Sequence, residues 1–169
     1  VDTYLKKAQR EFLLVATPGA GKTKVALKIA HDLLCAGVVS RVVVVTPSSH
    51  LKAQWQLSAS KVGINLAIDV KGAREPADHQ GCCITYHQVF SEAGVQRANA
   101  RDATLVIFDE VHHAGDGNGW GERIFAAFEN AARVISLSGT PFRSDNRRIP
   151  FVRYEEGRSV ADFTYGYGN

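Results

Sequence analysis

A glycine-rich stretch near the beginning of the chain ends in a lysine and a threonine, and this combination suits a phosphate group. The stretch lies between an apolar segment, 12–17, and a helical pattern over 22–35. Glycines allow backbone N–H groups to converge on one point, and the following helix N-terminus adds positive potential. Lys22 would contact the β- and γ-phosphates and Thr23 would bind Mg²⁺, so we predict a phosphate-binding site. Its residues are Thr17, Pro18, Gly19, Ala20, Gly21, Lys22 and Thr23.

Two adjacent carboxylates provide what such a site needs next. Asp109 and Glu110 end the apolar segment 104–110. Asp109 is predicted to hold Mg²⁺, usually through a water molecule, and Glu110 to polarise the water that attacks the γ-phosphate. Taken alone, the two acids are also compatible with the start of a solvated loop. Their combination with the glycine-rich stretch favours the catalytic interpretation.

Short apolar segments and the helical patterns between them predict the fold that positions these groups. The segments are rich in β-branched residues and nearly continuous in apolar character, which is typical of parallel strands buried on both faces. They cover 12–17, 41–47, 82–85, 104–110 and 133–141, with 65–70 as a weaker candidate, and helical patterns cover 22–35 and 121–132. We therefore predict an α/β fold with an open, doubly wound, mainly parallel sheet and helices on both faces. Ligands of such sheets bind at the carboxyl ends of the strands.

Composition excludes several other classes of protein. The chain has 169 residues, of which 45% are apolar and 22% charged, as is typical of a globular domain. Its formal net charge of +3 is too small to indicate nucleic-acid binding by itself. Its three cysteines offer neither a disulfide framework nor a C-x-x-C metal pair. No apolar segment approaches the ~20 residues of a membrane-spanning helix, so we expect a cytoplasmic protein without a membrane partner.

Several motifs together resemble those of superfamily 2 helicases and translocases. Asp109-Glu110-Val111-His112 resembles their D-E-x-H box, and residues 16–23 resemble motif I, in which alanine is common at the position of Ala16. Residues 45–55, 84–89 and 136–145 are similar to motifs Ia, Ic and III, and all the motifs appear in the family's order. The resemblance implies a RecA-like P-loop NTPase that uses ATP and Mg²⁺. The spelling is most similar to restriction-enzyme motor subunits and to DNA-repair or phage recombination helicases.

The resemblance also assigns roles to individual residues. The catalytic residues would be Lys22, Asp109, Glu110 and His112, and the residues on the nucleic-acid backbone would be Thr46, Pro47, Ser48 and Thr85. Such contacts hold a strand without reading its sequence. Ser138 and Thr140 would couple hydrolysis to strand movement, and His112 would contact either the γ-phosphate region or the Ser138 motif. Ser48 is also placed to cap a helix, and Trp55 is expected in the core rather than stacked on a base.

The domain organisation follows from the same resemblance. We expect residues 1–145 to form the first RecA-like domain and 146–169 a basic linker towards a second RecA-like domain in cis. That second domain would supply an arginine finger, so this chain alone should bind Mg·ATP weakly and hydrolyse it slowly or not at all. The leading hypothesis is the ATP-binding domain of a helicase or translocase acting on nucleic acid, DNA in preference to RNA.

Two alternatives stay open. One is a restriction-enzyme motor that moves along duplex DNA without separating its strands. The other is a non-catalytic module that uses ATP only as a conformational switch. Glu110 argues against the switch, because a switch has no need for a carboxylate that orients water.

Overall fold

Seven parallel strands form one sheet in the computed structural model, which describes residues 1–7, 9–68, 70, 75–92, 95–96, 103–115, 119–140 and 148–166. The strands of this sheet are β1 (Glu11–Ala16), β2 (Arg41–Thr46), β3 (Leu66–Ala67), β4 (Gly81–Thr85), β5 (Thr104–Phe108), β6 (Arg133–Ser138) and β9 (Phe163–Tyr165). Their order across the sheet is β3-β4-β2-β5-β6-β1-β9. A separate antiparallel pair consists of β7 (Tyr154–Glu155) and β8 (Arg158–Ser159). The predicted α/β fold with a parallel sheet is confirmed.

Helices follow most of the strands of the sheet. They are α1 (Asp2–Lys7), α2 (Lys22–Cys35), α3 (Ser49–Ser60), α4 (Tyr86–Ser91) and α5 (Trp120–Phe128), with a 3₁₀ helix over Val111–Gly115 after β5. The pattern over 22–35 is confirmed residue for residue, whereas the one over 121–132 corresponds to a helix that starts one residue earlier and stops at Phe128. The weak strand candidate over 65–70 is reduced to the two residues of β3.

Central strand β2 shows why the sheet needs cover on both faces. Val42 and Val44 belong to the apolar cluster that contains residues of α2 and α3, and Val43 and Val45 to the cluster that contains residues of α4 and α5. All four valines have no exposed surface. Burying each contributes about 1.5–3 kcal/mol, so this strand is stabilised from both faces of the sheet.

Close packing of β2 against β4 depends on a glycine. A Cβ atom at Gly81 would lie 1.7 Å from the carbonyl oxygen of Val42, and the Gly81 backbone has φ +156°. Gly81 pairs with Val42 on one side and with Leu66 of β3 on the other. Because every strand of this sheet is parallel, β1, β2, β4, β5 and β6 end on the same edge, which we call the carboxyl edge.

The segment predicted as a linker contributes a strand to the sheet. Residues 163–165 pair in parallel with β1, with Tyr165 opposite Ala16, and Asp162 accepts a hydrogen bond from the Leu13 N–H at 2.9 Å. Describing all of 146–169 as a linker is therefore incomplete, because its β9 is an edge strand of the sheet. The boundary predicted at residue 145 is therefore too early for a domain that includes β9, and residues 141–147 and 167–169 lie outside the described residues.

None of the helices in the described part of the chain is both long and apolar enough to cross a membrane.

Candidate functional site

The turn between β1 and α2 has the shape of a phosphate cradle. Gly19 and Gly21 have φ +77° and +86°, in the left-handed region that glycine adopts without strain. Gly21 is the N-cap of α2, and the Ala20 N–H donates to the Thr17 carbonyl oxygen at 3.1 Å. A Cβ atom on Gly21 would meet nothing within 4 Å, so it is the backbone conformation rather than crowding that requires glycine here. The helix N-terminus then faces the turn with unpaired N–H groups, as an anion site requires.

Lys22 joins this turn to the acidic motif. Its ammonium Nζ donates to Glu110 Oε1 at 2.9 Å and to the Ala16 carbonyl oxygen at 3.2 Å, and its side chain is 9% exposed. A Cβ atom on Gly139 would lie 3.4 Å from the same Nζ, so the end of β6 also approaches closely. The predicted phosphate lysine and the predicted water-polarising carboxylate therefore occupy one place at the carboxyl edge.

Glu110 is held in an unusual backbone conformation. Its φ is +47°, which costs free energy for a residue with a side chain and is found preferentially at functional sites. The carboxylate accepts the Gly139 N–H at 3.1 Å in addition to the Lys22 ammonium. Burial favours the protonated form of Glu110, but these two donors outweigh it and hold its pKa below the usual value. Glu110 is thus ionised at neutral pH and oriented from two other elements.

Asp109 has a different environment. It is 9% exposed, and Oδ2 accepts a hydrogen bond from the indole Nε1–H of Trp55 at 2.8 Å. Its backbone carbonyl accepts from the Tyr86 hydroxyl at 2.9 Å. Burial raises the pKa of Asp109, and the Trp55 hydrogen bond and the charge of Lys22 only partly oppose it. A cation beside Asp109 would therefore stabilise its ionised form, and hard carboxylate oxygens are the ligands that Mg²⁺ prefers.

Mg²⁺ is usually held by one or two carboxylates together with substrate phosphates rather than by a cage of protein ligands. Asp109 and the hydroxyl of Thr23, on the first turn of α2, are oxygen donors of that kind. These two ligands fit an ion that arrives with its nucleotide. Within the described ranges, no group of three or more His, Cys, Asp and Glu side chains is arranged to hold a metal ion.

The serine of the predicted coupling motif contacts the histidine of the acidic motif. Ser138 Oγ lies 3.3 Å from His112 Nδ1, donates to the Thr140 carbonyl oxygen at 2.8 Å and accepts the Thr140 N–H at 3.1 Å. His112 Nδ1 also lies 3.6 Å from Glu110 Oε2. Of the two contacts predicted for His112, the structure shows the one with the Ser138 motif. Residues 141–145, the rest of this motif, lie outside the described residues.

The residues predicted to bind nucleic acid are positioned by local hydrogen bonds. Thr46 is fully buried, and its hydroxyl donates to the Ser48 carbonyl oxygen at 3.0 Å. Thr85 caps α4: its Oγ1 accepts the Gln88 N–H at 3.2 Å, and the Gln88 side chain accepts the Thr85 N–H in return. Ser48 is exposed at the N-cap of α3, but its side chain makes no capping hydrogen bond. The structure thus places Thr46, Ser48 and Thr85 at the ends of neighbouring strands β2 and β4, and their role stays a prediction.

Two contacts at this edge were not found by sequence reasoning. Trp55 is in the core as expected, but its hydrogen bond to Asp109 was missed; a buried indole N–H needs an acceptor, and that rule was the available signal. Tyr165 of β9 donates its hydroxyl to the Ala20 carbonyl oxygen at 2.7 Å and so supports the phosphate turn. The second contact had no sequence signal, because β9 was not predicted.

The fold is that of a RecA-like domain, and the family comparison agrees with the resemblance to superfamily 2 helicases and translocases seen in the sequence. The chain belongs to the family described as type III restriction enzyme, res subunit, whose model matches residues 1–143.

Individual relatives agree with this assignment. An uncharacterized protein of Mycobacterium tuberculosis is 46% identical over 174 residues, which cover 97% of this chain and 29% of that protein. The DNA 3'-5' translocase XPB2 of Sulfurisphaera tokodaii is 29% identical over 147 residues, which cover 87% of this chain and 30% of the translocase. The chain thus spans less than a third of the length of these relatives.

A solved structure supports the fold. The SWI2/SNF2 ATPase core of Sulfolobus solfataricus, in complex with double-stranded DNA, superimposes with a TM-score of 0.65 and 19% identity, over 82% of this chain and 30% of that one. At this level of identity the likeness shows a shared fold.

Proposed function

We propose that this chain binds Mg·ATP at its carboxyl edge and, as part of a motor, couples ATP hydrolysis to movement along a nucleic-acid backbone. One observation carries the proposal: Lys22 Nζ lies 2.9 Å from Glu110 Oε1, which joins the phosphate turn to the acidic motif. DNA is the preferred track, because the relative from Sulfurisphaera tokodaii is named a DNA translocase and the SWI2/SNF2 core was solved with DNA. A second RecA-like domain in cis is part of the proposal, and its connection to this domain follows β9 rather than residue 145.

Each residue of the candidate site has a defined task in this mechanism. The N–H groups of the 17–23 turn and the Lys22 ammonium bind the phosphates, and the helix dipole adds to their attraction. Asp109 and Thr23 would hold Mg²⁺, which neutralises developing phosphate charge when bound. Arrival of the phosphates takes Lys22 away from Glu110, and the freed carboxylate orients the attacking water and accepts its proton.

The Ser138 motif links the position of Glu110 to neighbouring elements of the fold. Glu110 is held by the Gly139 N–H, and the neighbouring Ser138 contacts His112. A change in the position of Glu110 on ATP binding would therefore alter the contacts of both the end of β6 and the 3₁₀ helix. We assign Ser138, Thr140 and His112 to this coupling rather than to bond cleavage.

The test is the Glu110→Gln substitution in the full-length protein. Glutamine keeps an acceptor for Lys22 and Gly139 but cannot accept the proton of water, so ATP binding should be preserved and turnover should fall by roughly 10²–10⁴-fold. The matched control is Glu122→Gln on the exposed face of α5, which should leave both unchanged. Unchanged turnover in Glu110→Gln would favour the nucleotide-switch alternative.

Translocation on duplex DNA without strand separation is a second candidate, favoured by the family description and by the translocase relative. Displacement of a third strand from a triplex, measured beside unwinding of a forked duplex, separates the two. A motor that only translocates displaces the third strand and leaves the fork paired, whereas a helicase opens the fork.

A further inference from the structure

The two acids of the site are held by donors of different charge. Glu110 receives a hydrogen bond from the Lys22 ammonium, whereas Asp109 receives one from the neutral indole of Trp55. Trp55 is 2% exposed, and its Nε1–H donates to Asp109 Oδ2 at 2.8 Å. An indole nitrogen can only donate, so this contact cannot reverse and always presents a hydrogen to the carboxylate.

A neutral donor has a specific advantage beside a metal ligand. A lysine or arginine in the place of Trp55 would orient the carboxylate equally well but would repel a divalent cation at short range. The indole orients one oxygen without adding charge. Hydrogen bonds that orient metal ligands in this way are worth 10–100-fold in metal affinity in other proteins.

The position of Trp55 in the fold adds a second observation. It lies on α3, whose N-cap is Ser48 at the end of β2, while Asp109 follows β5, the strand next to β2. The Asp109 N–H also donates to the Val45 carbonyl oxygen of β2 at 2.9 Å. Asp109 is thus tied twice to the β2–α3 unit, once through its backbone and once through its carboxylate.

We propose that Trp55 is a positioning residue that fixes the Asp109 carboxylate for a divalent cation bound with the nucleotide. The inference rests on the proposed function, because it takes Asp109 as the Mg²⁺ ligand. It gives α3 a role beyond packing. This helix follows the segment predicted to bind nucleic acid, and it also positions the Asp109 carboxylate that would bind the metal ion.

The experiment measures Mn²⁺ binding by this chain in the presence of a non-hydrolysable ATP analogue, with electron paramagnetic resonance of free Mn²⁺ as the readout. Trp55 is replaced by phenylalanine and, in a second variant, by benzothienylalanine, which keeps the size and shape of indole but has no N–H. Both variants should lower the affinity for Mn²⁺ about tenfold, while the affinity for the analogue measured in EDTA should stay unchanged. Trp120→Phe is the matched control, because Trp120 is the other of the chain's two tryptophans and lies on α5.

A spectroscopic readout is independent of folding defects in the Trp55 variants. In Trp120→Phe, Trp55 is the single tryptophan, and its emission should change when Mg²⁺ is added to the nucleotide-bound chain. The same addition should leave the emission unchanged in Trp120→Phe combined with Asp109→Asn. Trp55 emission that does not change on addition of Mg²⁺ to Trp120→Phe would overturn the inference.

The Asp109→Asn substitution separates the two levels of the argument. If Asp109→Asn weakens Mn²⁺ binding but benzothienylalanine at position 55 does not, Trp55 only packs the core and the inference is wrong. If Asp109→Asn itself leaves Mn²⁺ binding unchanged, the proposed metal role of Asp109 fails, and the inference fails with it. Weaker Mn²⁺ in both variants supports both.

Discussion

The two halves of the carboxyl edge are organised differently. At the ends of β1, β5 and β6, charged and polar side chains contact residues far away in sequence: Lys22 meets Glu110, and His112 meets Ser138. At the ends of β2 and β4, the shorter hydrogen bonds of the Thr46 and Thr85 hydroxyls join groups within three residues, and the Thr46 hydroxyl also donates to the Ile84 carbonyl oxygen of β4 at 3.4 Å. The first half is fixed by polar contacts between residues distant in sequence, and the hydroxyls of the second half mainly by local turns and caps.

This difference indicates what each half must do. A phosphate site needs charges at set positions before the ligand arrives, because preorganised groups need no rearrangement at the moment of reaction. A track for any sequence needs only N–H groups and hydroxyls along its path, and local hydrogen bonds are enough to place those. We expect substitutions in the first half to have large effects on ligand binding and those in the second half to have small, separable ones.

The largest effect is expected for Lys22→Met. Methionine keeps much of the side-chain volume but removes the charge, so affinity for a non-hydrolysable ATP analogue should fall roughly 100-fold, or about 2.7 kcal/mol. Isothermal titration calorimetry on the chain measures the change. The matched control is Lys24→Met, because Lys24 is exposed two residues further along α2 and should change the affinity little. Equal losses in both variants would mean that Lys22 acts only through the net charge of the chain.

A pH dependence of stability is expected next, from the lowered pKa of Glu110. A carboxyl group whose folded-state pKa is lowered stabilises the fold above its ordinary pKa, and this contribution is lost as the pH falls through the lowered value. At pH 7 in EDTA, wild type should therefore exceed Glu110→Gln by about 1.5 kcal/mol in free energy of unfolding, the size of a charged hydrogen bond. Urea unfolding from pH 7 to pH 3 should show the gap closing. A gap that widens on acidification would contradict the direction of the shift.

Removing the cap of α4 should have a smaller effect, on stability rather than on nucleotide binding. Thr85→Val keeps the shape of the side chain but loses the Oγ1 that accepts the Gln88 N–H, so the free energy of unfolding should fall by about 1 kcal/mol. Nucleotide affinity should not change, because this half of the edge does not contribute to the phosphate turn. A loss of nucleotide affinity in Thr85→Val would show that the two halves are coupled without a track bound.

The smallest change in stability is expected for Ser48→Ala. The Ser48 side chain makes no capping hydrogen bond, so its removal should alter the free energy of unfolding by less than about 0.5 kcal/mol. In the full-length protein its loss should weaken DNA binding roughly threefold, the value of one neutral hydrogen bond, as measured by fluorescence anisotropy. A clear loss of stability with unchanged DNA binding would assign Ser48 to capping instead.

Much of the first half could be predicted from the sequence because its chemistry restricts residue types and spacing. Glycine adopts the positive φ of Gly19 and Gly21 without strain, and a lysine and an acidic pair must follow strands that end on one edge. The strands themselves could be recognised because burial on both faces makes them continuously apolar. These constraints are local, so they are visible in a single chain.

Other features depend on contacts that no local pattern encodes. Strand β9 has three residues, and two of them are exposed, so it lacks the apolar run by which the other strands were found. The indole of Trp55 looks like any core aromatic until Asp109 is placed beside it by the pairing of β2 with β5. In the second half of the edge, any hydroxyl or N–H group would serve, so residue types alone do not distinguish a track from a turn.

The central claim is that one edge of the sheet holds both the phosphate-binding turn and the Asp109 carboxylate that would bind Mg²⁺. The most direct test is a crystal structure of this chain with Mn²⁺ and a non-hydrolysable ATP analogue, in which anomalous scattering locates the metal. We predict a triphosphate in the 17–23 turn, Lys22 Nζ moved from Glu110 to a phosphate oxygen, and the Mn²⁺ peak beside Asp109 and Thr23. Phosphates bound elsewhere, with the Lys22–Glu110 ion pair intact, would contradict the claim.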